Sequence, residues 1–203
     1  MITRPKLLIA TTNKGKIKEY RVLLAGIPYE IVTPADCGIA ADVKEDGDTY
    51  EQNAMLKATT LASLSFLLTL ADDSGIEVEA LNGEPGVRSA RYAGENKTDA
   101  ERNAYLLARL NAAPDIRRNA RFRCVIAIAE PIGRVELFSG ACQGIITKEP
   151  RGSNGHGYDP IFYVPELKKT MAELTLDEKN KISHRARAAE KAREWLIGNE
   201  GKV

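Results

Sequence analysis

The sequence predicts a mixed α/β protein with one long central β-sheet and flanking helices. Short apolar runs such as KLLIAT and FLLTL are typical of buried strands, and they alternate with segments whose apolar residues recur at helical spacing. RFRCVIAIAE and RVELFSGACQGIIT, on either side of Pro131, predict two long strands joined as a hairpin. The 203 residues contain no internal repeat or linker, so we expect a single domain over residues 1–203.

Local signals place the elements in the first half of the chain. A strand from Lys6 to Thr11 precedes Asn13, a residue that favours the cap position of a helix. YEIVT predicts a second strand. Thr49 and Gln52 fit a capping box and predict a helix that ends at about Leu64. The expected apolar face of that helix comprises Ala54, Met55, Ala58, Leu61, Ala62 and Leu64.

The second half of the chain carries the same kinds of signal. The FLLTL strand is expected to end at Asp72, and IEVEAL predicts a further strand. Thr98 and Glu101 form another capping box ahead of a helix, and Ser183 is the expected cap of a final helix ending near Leu196. Shorter helices are predicted to start at Thr170 and Thr175.

Composition narrows the class of protein. The apolar fraction of 43% is ordinary for a globular protein, and a formal net charge of +1 argues against a broad nucleic-acid-binding face. No run of about 18 apolar residues, the length that spans a membrane, is present. Cys37, Cys124 and Cys142 lack metal-ligand spacing and predict buried, reduced thiols. We therefore expect a soluble, cytoplasmic protein that binds neither membrane nor nucleic acid.

Two adjacent carboxylates, Asp72 and Asp73, follow the apolar run in the stretch ADDSG. One explanation is an acidic turn, because Asp, Ser and Gly all favour turns. The other is a bound cation, since Mg²⁺ takes carboxylate oxygens and ligands of α/β proteins commonly bind at strand ends.

The stretch TTNKGK, residues 11–16, lies between the first predicted strand and the first helix. Such a junction presents free backbone N–H groups and the charges of Lys14 and Lys16 to an anion. Its glycine spacing matches neither a P-loop nor a dinucleotide fingerprint, and a solvated basic helix start is an equal alternative.

A second candidate segment is KEDGDTYEQNAMLKA, residues 44–58, in which Glu45 and Asp46 precede a glycine turn. Asn53 and Lys57 follow four residues apart on one face of the predicted helix. Lys57 lies among small residues and either reaches into a pocket or stays in solvent.

Two later segments combine aromatic, imidazole and basic groups. The glycine-rich loop EPRGSNGHGYDPIF contains His156 and Tyr158, either of which could stack on a heterocycle. EKNKISHRA gathers Lys179, His184 and Arg185 at a helix N-terminus, where the dipole disfavours positive charge. This arrangement indicates an anionic or hydrogen-bond-accepting partner.

Together these groups predict a site for a nucleoside triphosphate with Mg²⁺. An aromatic loop and a histidine–arginine pair would hold the base. The expected metal ligands are Glu45, Asp72 and Asp73, and the expected phosphate ligands are Lys16, Lys57 and Lys179.

The order of these motifs resembles the inosine triphosphate pyrophosphatase family. The resemblance spans Leu7 to about Ala189 and is carried by TTNKGKIKE, EDGDTYEQNAMLKA, ADDSGIEVEALNGEPGVRSARYAG, ARFRCVIA, GYDPIF and MAELTLDEKNKISHRA. It implies two lobes around a deep cleft, a homodimer, and Mg²⁺ as cofactor. It also implies hydrolysis of deaminated purine nucleoside triphosphates (ITP, dITP and XTP) to the monophosphate and pyrophosphate, which clears them from the nucleotide pool.

The resemblance also implies roles for individual residues. Asp73 looks like the general base and a metal ligand, and Ser74 would lie beside the substrate. Apart from the resemblance, Lys57 is the second predicted catalytic residue. Two positions depart from the family pattern: Lys44 occupies one expected ligand position, so Glu45 is the predicted ligand, and His156 replaces a phenylalanine. The triphosphate loop corresponds to Thr11, Thr12, Asn13, Lys14, Gly15 and Lys16, and the nucleotide and base contacts to His156, Gly157, Tyr158, Asp159, Lys179, His184 and Arg185.

Two other functions fit many of the same residues. A related house-cleaning pyrophosphatase could act on other modified nucleoside triphosphates, although the ISHR segment matches a site for a 6-oxo purine. A non-catalytic nucleotide sensor would keep the lysines but would not need Glu45 and the two aspartates.

Overall fold

The computed structural model of the protein describes residues 4–40, 43–113 and 117–201. Within these ranges the strands are β1 (Lys6–Ile9), β2 (Glu30–Val32), β3 (Leu68–Val78), β4 (Asn119–Ala129), β5 (Val135–Ile146), β6 (Phe162–Val164) and β7 (Lys169–Thr170). The α-helices are α1 (Lys14–Leu23), α2 (Tyr50–Ser65), α3 (Asp99–Asn111), α4 (Leu176–Ile182) and α5 (His184–Gly198). No helix in the described ranges is long and apolar enough to cross a bilayer.

The strands form one mixed sheet in the order β2-β1-β3-β4-β5-β6-β7. β1 pairs in parallel with β2 and β3, so that Leu8 lies opposite both Val32 and Thr69. β6 pairs antiparallel with β5 and with β7. The predicted α/β class with a mixed central sheet is confirmed, whereas the cleft implied by the resemblance stays a prediction.

The described part of the chain divides into two compact units. The first comprises the residues up to Asp73, together with Cys124–Gly140 and the residues from Arg185 onward; the second comprises Ser74–Arg123 and Ala141–His184. Each unit has an apolar core of its own. The prediction of a single domain over residues 1–203 stays a prediction. The core of the first unit includes Leu7, Ile9, Leu70, Ile126, Ala188 and Leu196, and that of the second includes Ile76, Leu106, Phe122, Phe162 and Met171.

Capping side chains fix where the helices begin, as the sequence predicts. Asn13 caps α1, where its side chain accepts hydrogen bonds from two backbone N–H groups. Thr49 with Gln52, at the start of α2, and Thr98 with Glu101, at the start of α3, form reciprocal capping boxes. The same motif opens α4, so the local signals for these helices are confirmed.

The face that α2 buries differs from the predicted one. Its small residues and Leu61 are buried as expected, but Met55 and Leu64 are 39% and 54% exposed. Two polar residues, Asn53 and Lys57, are buried instead, at 0% and 9% exposure. Buried polar groups need partners to offset the loss of hydration. Those partners lie on β3 and in the segment before α2.

β3 also differs from the sequence prediction. The strand does not end at Asp72 but runs unbroken through ADDSG to Val78, and the rest of IEVEAL turns into a short 3₁₀ helix. Successive side chains of a strand point to opposite faces, so Asp72 and Asp73 lie on different sides of β3. Both are nearly inaccessible, at 2% and 6% exposure, and both have polar partners. The partners on both faces allow the strand to continue through the two adjacent charges.

Candidate active site

In the first unit, charged and polar side chains gather around the first half of β3. We call them the charged cluster, and they come from α1, α2, α5, β3 and the segment before α2. The cluster consists of Lys16, Glu19, Glu45, Asn53, Lys57, Asp72, Asp73 and Arg185.

On one face of β3, cations surround Asp72. Its Oδ2 lies 3.0 Å from Nζ of Lys16 and 3.2 Å from Nη2 of Arg185. The thiol of Cys124 lies 3.8 Å from the same oxygen. Burial alone would raise the pKa of Asp72, but Lys16, Arg185 and Lys57 outweigh it and hold the pKa well below its usual range. Asp72 therefore stays ionised at a pH where an ordinary aspartate takes up a proton, and the protein itself balances its charge.

Arg185 links Asp72 to a second buried carboxylate. Its Nη1 donates to Oε2 of Glu19 at 2.7 Å, while its Nη2 faces Asp72. Its guanidinium carbon lies 5.9 Å from the centre of the Tyr20 ring, within the range of a cation–π contact. Arg185 is 1% exposed. In this structure it positions Asp72, and its predicted contact with the base stays a prediction.

On the opposite face of β3, Asp73 meets α2. Nδ2 of Asn53 donates to Oδ2 of Asp73 at 3.0 Å, which fixes the orientation of the carboxyl group. Burial raises the pKa of Asp73 and outweighs the opposing effects of Lys57 and Asn53, and the nearby Glu45 raises it further. A carboxyl group of raised pKa is a better proton acceptor than an ordinary aspartate once it is ionised.

Lys57 lies near both aspartates of β3. Its Nζ is 3.0 Å from Oε1 of Glu45 and donates to the backbone carbonyl of Asp72. Burial would lower the pKa of Lys57, but the carboxylates of Asp72, Glu45 and Asp73 outweigh burial and raise it. Lys57 therefore stays protonated and acts as a fixed cation. The sequence predicted its spacing from Asn53, and both side chains point into the cluster.

The three predicted metal ligands do not share one environment. Glu45 and Asp73 are close enough for their charges to repel, which a hard cation bound by both would reverse. Oδ2 of Asp72 instead lies beside Lys16 and Arg185. Within residues 4–40, 43–113 and 117–201, no group of three or more His, Cys, Asp or Glu side chains is arranged as a metal site. The carboxylate oxygens of Glu45 and Asp73 are ligands of the kind that Mg²⁺ takes, and metal binding by Asp72 stays a prediction.

The loop before α1 differs from its predicted form. The backbone N–H groups of Gly15 and Lys16 donate to Oδ1 of Asn13 at 2.8 and 3.1 Å. The prediction that the N–H groups of this loop are free for an anion is therefore wrong for these two. The side chains of Lys14 and Lys16 remain the source of positive charge, and Lys16 already faces Asp72. Phosphate binding by Thr11 and Thr12 stays a prediction.

In the second unit, the loop 155–159 holds four predicted substrate contacts. Oδ2 of Asp159 accepts from Nζ of Lys179 at 2.6 Å and from the backbone N–H of His156 at 2.9 Å. Asp159 and Lys179 are 2% and 3% exposed. A Cβ on Gly155 would come within 2.1 Å of Asp159, so only glycine fits there. The ion pair of Lys179 and Asp159 shapes the loop from within.

The remaining predicted contacts of the second unit lie in different surroundings. Lys179 belongs to the last turn of α4, where the helix dipole favours a cation, and not to the start of α5 as predicted. The imidazole of His184 is stacked on Phe122, with ring centroids 4.7 Å apart and planes 17° apart. The hydroxyl of Tyr158 donates to the carbonyl of Ser89 at 2.8 Å. Ser74 is half-buried on β3.

Several members of these groups were not identified from the sequence. Glu19 lies three positions after Lys16 on α1, and this helical spacing was a usable signal. Phe122 alternates with Arg121 and Arg123 on β4, and this pattern indicates an inward side chain. Cys124 carried no signal of its own, because its nearness to Asp72 depends on the register between distant parts of the chain.

Comparison with known proteins decides the family. The sequence model of the Ham1 family matches residues 7–195. The chain belongs to the Ham1 family. The resemblance that the motifs indicate is thereby confirmed, and it extends over nearly the whole chain.

Relatives that are similar to this Ham1 chain over most of its length carry a functional name. A protein from Desulforamulus reducens named dITP/XTP pyrophosphatase is 52% identical over 191 residues, covering 94% of this chain and 95% of the relative. A protein of the same name from Geobacter sulfurreducens is 49% identical, covering 90% and 92%. The solved structure of a HAM1 protein from Coxiella burnetii is 43% identical, covers 96% of this chain and 99% of its own, and superposes with a TM-score of 0.88.

Proposed function

We propose that this Ham1 protein hydrolyses dITP, ITP and XTP to the nucleoside monophosphate and pyrophosphate. The observation that carries the proposal is Asp73, a buried carboxyl group of raised pKa held by Asn53 beside the protonated Lys57. Relatives that are about half identical are named dITP/XTP pyrophosphatases, which supports the substrate class.

The proposed chemistry assigns one role to each charged group. Ionised Asp73 accepts a proton from water as the water oxygen attacks phosphorus at the α–β anhydride. The anhydride bond breaks, and pyrophosphate leaves with the electron pair of the bridging oxygen. Lys57 and Lys16 supply positive charge that offsets the charge developing on the phosphate oxygens. Asn53 keeps the accepting carboxylate oriented.

We propose that Glu45 and Asp73 hold the Mg²⁺ of this reaction. When bound, the ion would neutralise phosphate charge and polarise the phosphorus–oxygen bonds. Asp72 has a different proposed role, because its carboxylate anchors Lys16 and Arg185. Removing Asp72 would take away the anion that Lys16 and Arg185 share, and the loss would affect phosphate binding without removing a metal ligand of this proposal.

We assign recognition of the purine to the second unit, through His156 and Tyr158 of the loop 155–159 and through His184. An imidazole or phenol ring offers a face on which a base can stack. Replacing His156 by alanine is then expected to raise KM for ITP by about one to two decades, and phenylalanine should restore it. We also propose a homodimer in the cytoplasm; the three free cysteines are consistent with a reducing compartment.

The direct test is pyrophosphate release from a panel of nucleoside triphosphates: dITP, ITP, XTP, dUTP, ATP and GTP, each with Mg²⁺ and with EDTA. We expect release from dITP, ITP and XTP that depends on Mg²⁺, and much slower release from ATP and GTP. Orthophosphate as the first product, or equal rates for ITP and ATP, would contradict the proposal.

The same panel separates the two alternative functions. A house-cleaning pyrophosphatase for other nucleotides would prefer dUTP or another modified substrate over ITP. A nucleotide sensor would bind ITP in a calorimeter but release no pyrophosphate. The buried Asp73 beside Lys57 counts against a sensor, because binding alone does not require a carboxyl group of raised pKa there.

A further inference from the structure

One residue of the loop 155–159 is held at both of its backbone polar groups by a single helix. The N–H of Gly157 donates to Oδ2 of Asp99 at 2.7 Å, and its carbonyl accepts from Nδ2 of Asn103 at 3.2 Å. Asp99 and Asn103 lie four residues apart on α3, so they present their side chains on one side of the helix. The contacts span 58 and 54 positions of sequence, and all of them lie within the second unit.

Both side chains of this clamp are fixed in place. Asn103 is 3% exposed. Oδ1 of Asp99 pairs with Arg102, whose guanidinium also donates to the backbone carbonyls of Ala90 and Lys97. Burial raises the pKa of Asp99, but the N–H of Gly157 and the charge of Arg102 outweigh it and lower the pKa. The bond from Gly157 is therefore made to a charged acceptor, the stronger kind of hydrogen bond.

Other residues provide the capping box and most of the buried face of α3. Thr98 and Glu101 already form the capping box at its start, and Leu106, Leu107 and Leu110 supply its buried face. Burial of Asn103 costs free energy, which its hydrogen bond to Gly157 helps to offset. Asn103 and Asp99 are both directed at this one residue, so the two contacts act on the loop.

The conformation and the sequence neighbours of Gly157 explain why the orientation of its peptide groups matters. Its φ of +65° lies in the left-handed region, which glycine adopts without strain. Its neighbours in sequence are His156 and Tyr158, the two rings assigned to the purine. A rotation of either peptide at Gly157 would turn one of these rings away from its present direction.

We propose that Asp99 and Asn103 are positioning residues for purine recognition, which fix the peptide groups of Gly157 and thereby the directions of His156 and Tyr158. The inference rests on the proposed function of the loop. Its physical basis is preorganisation: a loop that is already ordered loses less conformational entropy when it binds a base. The clamp therefore acts on substrate binding and not on the attack of water.

Kinetics of Asp99→Ala and Asn103→Ala test the role. We expect KM for ITP to rise by about 10- to 100-fold, the size expected when a hydrogen bond to a buried or charged partner is lost. The value of kcat should change by less than about threefold, because the clamp acts on the loop assigned to purine binding. Asp99→Asn, which keeps an oxygen acceptor for the N–H of Gly157, should recover part of the loss.

The matched control is Glu101→Gln in the same turn of α3. It removes one negative charge from the start of the helix and keeps a side chain that can complete the capping box. Glu101 bonds to Thr98 and Lys97. We expect its KM for ITP to match the wild type. An equal rise in KM in the control would overturn the inference, because it would show that a weakened helix start is enough.

A second measurement does not depend on enzyme activity. The amide hydrogen of Gly157 should exchange slowly with solvent in the nucleotide-free protein, and faster in Asp99→Ala but not in Glu101→Gln. If wild type releases no pyrophosphate from ITP, the proposed function fails while the exchange result still reports on the clamp. Unchanged exchange at Gly157 in Asp99→Ala, or an unchanged KM for ITP in both alanine variants of an active enzyme, would overturn the inference.

Discussion

The two faces of β3 show how one residue type takes opposite roles at adjacent positions. On one face, Asp72 is bound by Lys16 and Arg185, and its pKa is held well below the usual range because these cations outweigh burial. On the other, Asp73 is held by the neutral amide of Asn53, and burial raises its pKa despite Lys57. The difference lies in what each face supplies, since the two carboxyl groups are equally buried to within a few per cent.

This comparison separates an anchor from a base. A carboxylate that fixed cations have neutralised holds those cations in place but is a poor proton acceptor. A buried carboxyl group whose pKa is raised, such as Asp73, is the better proton acceptor once it ionises. The alternation of the strand makes both environments available within one dipeptide.

The largest expected effect is on turnover in Asp73→Asn. The amide cannot take a proton from water, so kcat for ITP should fall by about 10²- to 10⁴-fold, the usual contribution of a general base. Circular dichroism should show an unchanged fold. Asp46→Asn is the control, because Asp46 is an exposed aspartate paired with Lys44 just before α2, and it should keep wild-type turnover. Near-wild-type kcat in Asp73→Asn at saturating Mg²⁺ would remove Asp73 from the mechanism.

The next effect is on stability, which Asp72→Asn should lower and Asp73→Asn should not. Asp72→Asn leaves Lys16 and Arg185 without their shared anion, and the loss of one partner from a buried ion pair costs about 3–5 kcal/mol. Asp73→Asn removes a carboxyl group whose ionisation opposes folding, so the free energy of unfolding should stay unchanged or rise. Urea unfolding of the metal-free proteins at pH 7 measures both. A similar loss of stability in the two variants would contradict the separation of roles.

A smaller effect concerns how the differences in the free energy of unfolding between wild type and these variants depend on pH. The pKa of Asp72 is lowered in the folded state, so its stabilising contribution is present above the unfolded value of about 3.9 and is lost as pH falls below it. The pKa of Asp73 is raised, so its cost is absent in acid, develops as pH rises above the unfolded value, and is complete above the folded value. The free energy gap between wild type and Asp72→Asn should therefore narrow below about pH 4. A gap that stays constant down to pH 2.5 would rule out ionised Asp72 as its cause.

Short-range signals in the sequence predict much of this fold. The reciprocal capping boxes place the starts of α2 and α3, and the spacing of Asn53 and Lys57 predicts that both side chains share a face. These features depend on residues within one helical turn, where sequence and structure are tightly linked.

The charged cluster was harder to predict because its balance depends on distant residues. Arg185 lies 113 positions from Asp72, and no local pattern indicates that it reaches Asp72 instead of a ligand. The same cause explains why β3 was expected to end at Asp72. Two adjacent charges favour a turn when considered alone, and they can continue a buried strand only because α1, α2 and α5 provide partners.

The most direct test of the central claim is a carboxyl ¹³C NMR titration of the metal-free protein labelled at aspartate, with Asp72→Asn and Asp73→Asn used to assign the two signals. We expect Asp73 to titrate above the ordinary aspartate value of about 3.9. We expect Asp72 to show no titration down to the pH at which the protein unfolds. Two carboxyl groups that titrate together near the ordinary value, or a reversed order with Asp72 the more basic, would show that the two faces of β3 do not separate an anchor from a base.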